Sequence, residues 1–270
     1  MASLVLVTGC GGPAPDSADQ AGAGTDTVEP AGTAAPEEDA EGAEGVAEGQ
    51  DETPEEPAAL DEEQKMQLLL STEDLPARPE GHSTHSGVSY FQESIAVEYT
   101  QYQDTFGQTE CAQAMDQINV NLVGEDPLGG LAHAYRLPAV EREGQEYSPQ
   151  VYAWVLSYGQ EVDTSGIWEV IHEHCSGTQL QAGDEYVEIE PLDLEDDHRL
   201  DLEGISMVIH SGDEPTGAAA AVRHSMSVDF GENLVMLSAV GLDTEGFGEL
   251  AGAQAHKLAQ FQDSLAEDAG

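Results

Sequence analysis

Ala219-Ala-Ala-Val-Arg-His-Ser-Met-Ser-Val228 and Leu234-Val-Met-Leu-Ser-Ala-Val240 are two apolar runs separated by Asp229-Phe-Gly-Glu-Asn233. Each run has the length and apolar content of a strand. The gap is a turn, far too short for the crossover that parallel strands require, so the two pair antiparallel. Outward from this pair, residues 205–210, 186–192, 151–158 and 131–137 also read as strands, with turn residues between them. Residues 94–102 alternate Ile95, Val97 and Tyr99 with polar neighbours, the pattern of a half-buried strand. Helical spacing appears in four places. A short opening helix at residues 66–70 ends before Pro76. Thr109 can cap a helix over 109–118 that puts Cys111, Met115 and Ile118 on one face. Asp163 or Thr164 opens a helix to Cys175 with Trp168 and Ile171 in phase, and Thr244 caps a last amphipathic helix to about residue 266. Strand–helix alternation and a G-x-G-x-x-G loop are both absent, which excludes a Rossmann fold. The expectation is an α+β domain over residues 66–266, a twisted antiparallel sheet flanked by helices.

The chain has 270 residues, 54 acidic against 7 basic, for a net charge of -47. Residues 1–65 hold 17 acids and one base, Lys65; the remaining 37 acids face Arg78, Arg136, Arg142, Arg199, Arg223 and Lys257. Such a chain cannot track nucleic-acid phosphates or dock on anionic lipid through a basic patch. Self-repulsion at this density weakens the compact state at low salt, and salt screens it. Adaptation to salty surroundings and an ordinary acidic secreted protein both fit this balance.

Val7-Thr8-Gly9-Cys10 matches the bacterial lipobox, an aliphatic residue and two small ones before a cysteine. The small residues give a signal peptidase access to the bond, and the Cys10 thiol carries diacylglycerol. Two or three acyl chains anchor stably at about 0.8 kcal/mol per buried CH₂. A full signal peptide has a basic segment and 7–15 apolar residues ahead of this point. Here Leu4-Val-Leu-Val7 is short and no base precedes Cys10, so residues 1–10 read as a truncated signal peptide, from a start assigned too far downstream or a trimmed N-terminus. Residues 11–65 are rich in Ala, Gly, Pro, Glu and Asp and contain no aromatic residue. That composition reads as a disordered, extended acidic tether. The expected localisation is the extracytoplasmic face of the cell membrane, with membrane contact through the lipid on Cys10.

With Cys10 lipidated, Cys111 and Cys175 remain, in a protein exported to an oxidising space. A disulfide between them would add about 3–4 kcal/mol in the chain-entropy model; the alternative is two separate buried thiols.

The lipobox and tether resemble those of actinobacterial surface lipoproteins. The folded part resembles the PknH-like extracellular sensor domain family, also found in mycobacterial lipoproteins. The shared features are Leu68-Leu-Leu70, Cys111 within Glu-Cys-Ala-Gln-Ala, Trp168-Glu-Val-Ile-His-Glu-His-Cys175-Ser-Gly-Thr178, Asn233-Leu-Val-Met-Leu-Ser-Ala-Val240 and the Leu250 to Leu258 helix. The resemblance spans roughly residues 66–262. It implies a twisted antiparallel sheet flanked by helices, with a cleft for an unidentified ligand. The kinase sensor is associated with two disulfides, whereas these cysteines allow one.

Other constellations are weaker. His172 and His174 are two apart and diverge on a helix, H-E-x-x-H is absent, and Cys175 is committed elsewhere, so no metal site is expected. The acidic stretch 184–203 lacks the spacing and glycine of an EF-hand and reads as a solvated loop. No G-x-S-x-G elbow occurs, so the expectation is not an enzyme and no cofactor. Tyr90, Tyr99, Tyr102, Tyr135, Tyr152 and Tyr158, with Trp154, could wall a cleft or simply fill a core.

The expected function is capture of a small molecule, lipid or cell-wall fragment by a membrane-anchored sensor-like domain. The alternative is a structural or interaction protein contacting an envelope protein partner, and after it an unrecognised hydrolase. With a complete signal peptide restored, Cys10→Ser should move the protein from the membrane fraction to the soluble one on fractionation. Retention in the membrane would remove the lipid anchor from this reading.

Overall fold

The structure, a computed structural model, describes residues 57–90, 101–123, 127–142, 145–183, 185–192, 194, 200, 202–211 and 219–268. In chain order the elements are α1 (Glu62–Leu68), β1 (Gly81–Ser86), α2 (Gln101–Phe106), α3 (Glu110–Val123), β2 (Gly129–Arg136), β3 (Val140–Arg142), β4 (Gln145–Tyr147), β5 (Gln150–Ser157), α4 (Ser165–Cys175), β6 (Thr178–Ala182), β7 (Glu185–Pro191), β8 (Glu203–Ser211), β9 (Ala219–Phe230), β10 (Asn233–Val240) and α5 (Thr244–Asp268). Eight strands form one antiparallel sheet in the order β1-β2-β5-β10-β9-β8-β7-β6. Strands β3 and β4 pair separately.

The β9–β10 hairpin lies near the centre of the sheet, as its apolar content requires. Its turn pairs Phe230 with Asn233 across Gly231 and Glu232. Period-two alternation then divides the side chains between two faces. On one face Val151, Ala153, Val155, Met226, Val228, Val235 and Leu237 pack against Leu68 to Leu70, Phe247, Leu250, Leu258 and Phe261 of α1 and α5. On the other face Val187, Ile189, Ile205 and Met207 pack beneath Cys111, Met115, Trp168 and Ile171 of α3 and α4. Both faces are covered by helices, which makes this α+β architecture the expected one.

Cys111 and Cys175 form a disulfide with Cα atoms 4.7 Å apart, closing a 64-residue separation. It joins α3 to α4 at the centre of the second core. Short helices are marginal alone, so the crosslink holds the pair together as one covering unit.

Three consecutive leucines, Leu68, Leu69 and Leu70, are each fully buried. A continuing helix would rotate one of them outward. The helix instead stops at Leu68, and Leu69 turns to φ -75°, ψ 151°. The carbonyls this exposes find side-chain donors. Gln254 Nε2 donates to Leu68 O at 2.8 Å, and the Tyr135 hydroxyl donates to Leu70 O at 2.6 Å.

Several boundaries differ from the sequence reading. Helix α1 begins at Glu62, capped reciprocally by Asp61 and Gln64, and the packed chain reaches back to Pro57. Acidic composition had assigned residues 57–65 to the tether, but Leu60 and Lys65 are buried. The expected strand at 94–102 falls on residues 94–100, outside the described ones, and on Gln101 and Tyr102, which open α2 as helix rather than strand. Asp243, not Thr244, caps α5: its carboxylate accepts from Gly246 N at 2.8 Å, and its carbonyl takes the first helical bond from Phe247. Strand β1, Gly81-His-Ser-Thr-His-Ser86, has no aliphatic residue and lies at the sheet edge, so no periodicity marked it.

The β9–β10 turn also clasps the start of the domain. Asn233, fully buried, donates through Nδ2 to Ala58 O at 2.9 Å and accepts from Leu60 N and Ser157 Oγ. Glu232 N donates to Pro57 O at 2.9 Å. Gly231 makes this approach possible. It has φ +59°, and a Cβ there would sit 2.2 Å from Pro57 O. Gly231→Ala should therefore cost about 1–3 kcal/mol, combining the left-handed conformation with displacement of residues 57–60. Chemical unfolding measures the loss, and limited proteolysis should show earlier cleavage before Asp61. An unchanged midpoint would mean the clasp contributes nothing.

Candidate functional site

The register defines a polar patch on the second face, beside the α3–α4 pair. One cross-strand row runs Gln150, Val240, Arg223, Met207; the next runs Ala134, Tyr152, Ser238, Ser225, Ile205; a third runs His85, Ala132, Trp154, Met236, Ser227. Small residues, Ala132, Ala134, Ser225 and Ser238, thus lie among Tyr152, Trp154 and Met236. These bulky residues flank a strip of small ones that ends at Arg223, here termed the Arg223 trough; Ala132, Ser238, Trp154 and Met236 within it are buried.

Arg223 sits at one end of it, half-buried. Its Nε donates to Ser238 Oγ at 3.3 Å. Ser238 in turn donates to His224 O at 3.0 Å, so it accepts from Ser225 Oγ, also at 3.0 Å. The serine hydroxyls are thereby fixed in direction. Among the described residues no carboxylate lies within 4 Å of the Arg223 guanidinium. In a chain of net charge -47, a half-buried cation without an ion pair is conspicuous.

Two aromatic residues extend the patch. Burial raises the Tyr102 pKa, and Asp116 adds to this while Arg223 opposes it. Asp116 is buried and accepts from Tyr102 N, Gln103 N and Gln103 Nε2, so its charge is spent on ordering α2. Trp154 is 8% exposed, and its Nε1 has no hydrogen-bond partner among the described residues. An unmatched buried donor costs about 1–3 kcal/mol.

Of the two readings of these aromatic residues, a cleft wall or an ordinary core, the described ones do not form a single wall. Tyr152, Trp154 and Tyr158 share a cluster with Tyr90, whereas Tyr102 packs with the α3–α4 core. Tyr135 points to the opposite face. The cause is parity, since Tyr135 and Tyr152 come from strands whose registers place them on different faces. Tyr99 and Cys10 lie outside the described residues.

The remaining candidates separate. His172 Nδ1 is 3.8 Å from Glu203, and His174 Nδ1 is 3.6 Å from Glu110, so the two histidines face different neighbours. No group of three or more His, Cys, Asp or Glu that could hold a metal occurs among the described residues. Of the acidic stretch, Glu185–Pro191 is strand β7 and Glu203 begins β8, with the residues around 195–199 outside the description. Ser83 Oγ lies 3.0 Å from His85 Nε2 on edge strand β1, with no carboxylate within 4 Å of that ring among the described residues. It lacks the third group that orients a catalytic base.

No helix among the described residues is long and apolar enough to cross a membrane. No family model and no curated protein matches the chain. Among solved structures, the extracellular domain of PknH from Mycobacterium tuberculosis is similar, with a TM-score of 0.41 and 12% identity over 76% of this chain and 98% of that one.

A histidine on the opposite face sets a pH dependence. His224 is fully buried against Phe247, donates through Nε2 to Leu242 O at 3.1 Å, and its Nδ1 has no partner among the described residues. Burial lowers its pKa, against the Leu242 carbonyl and Asp243. Below pH of about 6.5 the unfolded chain binds a proton here that the folded chain resists. Stability contributed by the neutral ring is present above that pH and falls as pH drops through this window. Thermal melts across it should show a shallower acid-side loss in His224→Gln than in the parent chain. Parallel slopes would assign the loss to His85 and His133, whose pKa values burial also lowers.

Proposed function

We propose that this chain is an exported, lipid-anchored binding protein, and not an enzyme, whose α+β domain captures a ligand with an anionic group in the Arg223 trough. A small molecule, lipid headgroup or cell-wall fragment carrying a carboxylate or phosphate fits that description. The observation that carries the reading is Arg223 itself: half-buried, oriented through Nε by Ser238, and without a carboxylate within 4 Å among the described residues. A guanidinium held by one nitrogen presents its remaining N–H fork to an oxyanion. The unmatched Trp154 Nε1 supplies a second donor on the same face. Tyr152 and Met236 offer apolar contact beside them. The lipobox at Cys10 and the acidic tether support the anchored, extracytoplasmic part of the proposal.

Native mass spectrometry of the full chain, recovered from cells that export it, tests the site. A reproducible non-covalent adduct is expected. Arg223→Gln should weaken its retention by roughly tenfold to a hundredfold, the worth of one charge-assisted contact. An adduct held equally by the variant would place the ligand elsewhere.

A further inference from the structure

The eight-stranded sheet ends at β1, Gly81-His-Ser-Thr-His-Ser86, whose extensive packing partner among the described residues is β2 alone. Gly87 N donates to Gly130 O at 2.9 Å, in the register that pairs Ser86 with Leu131. That bond fixes the phase of the ladder, because antiparallel strands alternate hydrogen-bonded and non-hydrogen-bonded pairs. Ser83 and His85 turn their backbone groups to β2. His82, Thr84 and Ser86 turn theirs outward, each with one N–H and one C=O. Among the described residues none of these outward groups has a hydrogen-bond partner.

Such an edge is ordinarily blunted by Lys, Pro or a bulge. Strand β1 has none of these, and its register with β2 is unbroken from Gly81 to Ser86. Its side chains leave the edge open as well. The His82 ring lies over Tyr135 of β2, with centroids 4.8 Å apart and planes 9° apart, and not across the edge. His85 stacks on Tyr90 at 4.0 Å, and Ser86 Oγ donates to Glu62 Oε1 at 2.9 Å. No carboxylate occurs within β1, although the chain has 54 acidic residues. The carboxylates stand at its two ends instead. Glu62 is at Ser86, and Glu73 and Glu80, with Arg78 among them, line the groove beside Gly81 and His82.

We propose that β1 is a strand-addition site, which takes an extended, basic segment of a protein partner as a further strand of the sheet. In this mode main-chain hydrogen bonds supply the affinity, here through His82, Thr84 and Ser86. The carboxylates at either end select Lys or Arg near the ends of the added segment. A net charge of -47 draws such a partner in at long range. The same charge opposes pairing of β1 with a second copy, since both copies carry it. The site lies at the sheet edge and does not rest on the reading of Arg223.

The probe is the peptide Ac-Lys-Val-Thr-Val-Thr-Val-Lys-NH₂, titrated at low salt into the isotope-labelled full chain while amide shifts and hydrogen exchange are followed. Saturable shifts and slowed exchange are expected at His82, Thr84 and Ser86. Two N-methylated peptides separate strand addition from any other charge contact. Methylating one alternating set of amides should abolish binding, and methylating the other should leave it within about threefold. Replacing both lysines by glutamate should weaken binding about tenfold or more. Thr84→Pro removes an outward N–H and keeps the β2 ladder, so it should weaken the peptide about tenfold with little change in melting temperature. If that variant melts early, the methylated pair decides alone. No saturable shift at these residues, equal effects of the two methylation sets, or equal binding of the glutamate peptide would overturn the proposal. So would protection of the same amides that rises with protein concentration in the absence of peptide, which marks a second copy as the occupant.

Discussion

Everything on the second face of the sheet depends on the Cys111–Cys175 crosslink. The sheet is apolar on both sides, so both sides require cover. The first side is covered by α5, a 25-residue helix long enough to present several turns to the core. Among the described residues the second side is covered by α2, α3 and α4, of 6, 14 and 11 residues. Helices of this length gain most of their stability from packing. The disulfide makes α3 and α4 unfold together or not at all, and it restricts the unfolded chain across a 64-residue loop. Trp168 then locks the pair to the sheet, with Nε1 donating to Ser227 Oγ at 2.7 Å.

Charge is the second constraint, and it gives the few cations unusual meaning. Repulsion among carboxylates is spread over the whole surface, so an arginine can lower the energy almost anywhere by pairing. Lys257 does so, reaching Asp74 at 3.1 Å. Lys65 is buried instead, its ammonium donating to Leu60 O, and burial lowers its pKa. Arg223, Arg78 and Arg136 take neither course among the described residues. Arg136 and Arg223 occupy one cross-strand row on the same face, separated by β5 and β10. At the usual strand spacing that is about 14 Å. A half-buried cation such as Arg223 that finds no carboxylate among the described residues is better explained by a ligand than by folding, because folding alone favours pairing it.

The hairpin, the four central strands and the helices α3, α4 and α5 were legible in the sequence, because burial on one or both faces stamps a period on the residues. The same rule explains what was missed. Strand β1 is an exposed edge with Ser, Thr and His, so nothing in it alternates in polarity. Residues 57–61, Pro-Ala-Ala-Leu-Asp, read like a linker, yet Asn233 recruits their backbone, and backbone hydrogen bonding leaves little trace in composition. The disulfide was legible because, with Cys10 read as lipidated and the chain read as exported, Cys111 and Cys175 were left with few other options.

The sites were less legible, since both depend on register rather than on local pattern. Tyrosines grouped together in the sequence reading fell on opposite faces: Tyr135 pairs with Val151, and Tyr152 with Ala134. Arg223 looked like one base in an apolar run until pairing placed it opposite Val240 and Met207. The signal that could have exposed Arg223 is subtraction. In a chain this acidic, a base within a strand is the residue whose partner should be sought first, and where the protein supplies none, the ligand is the remaining source.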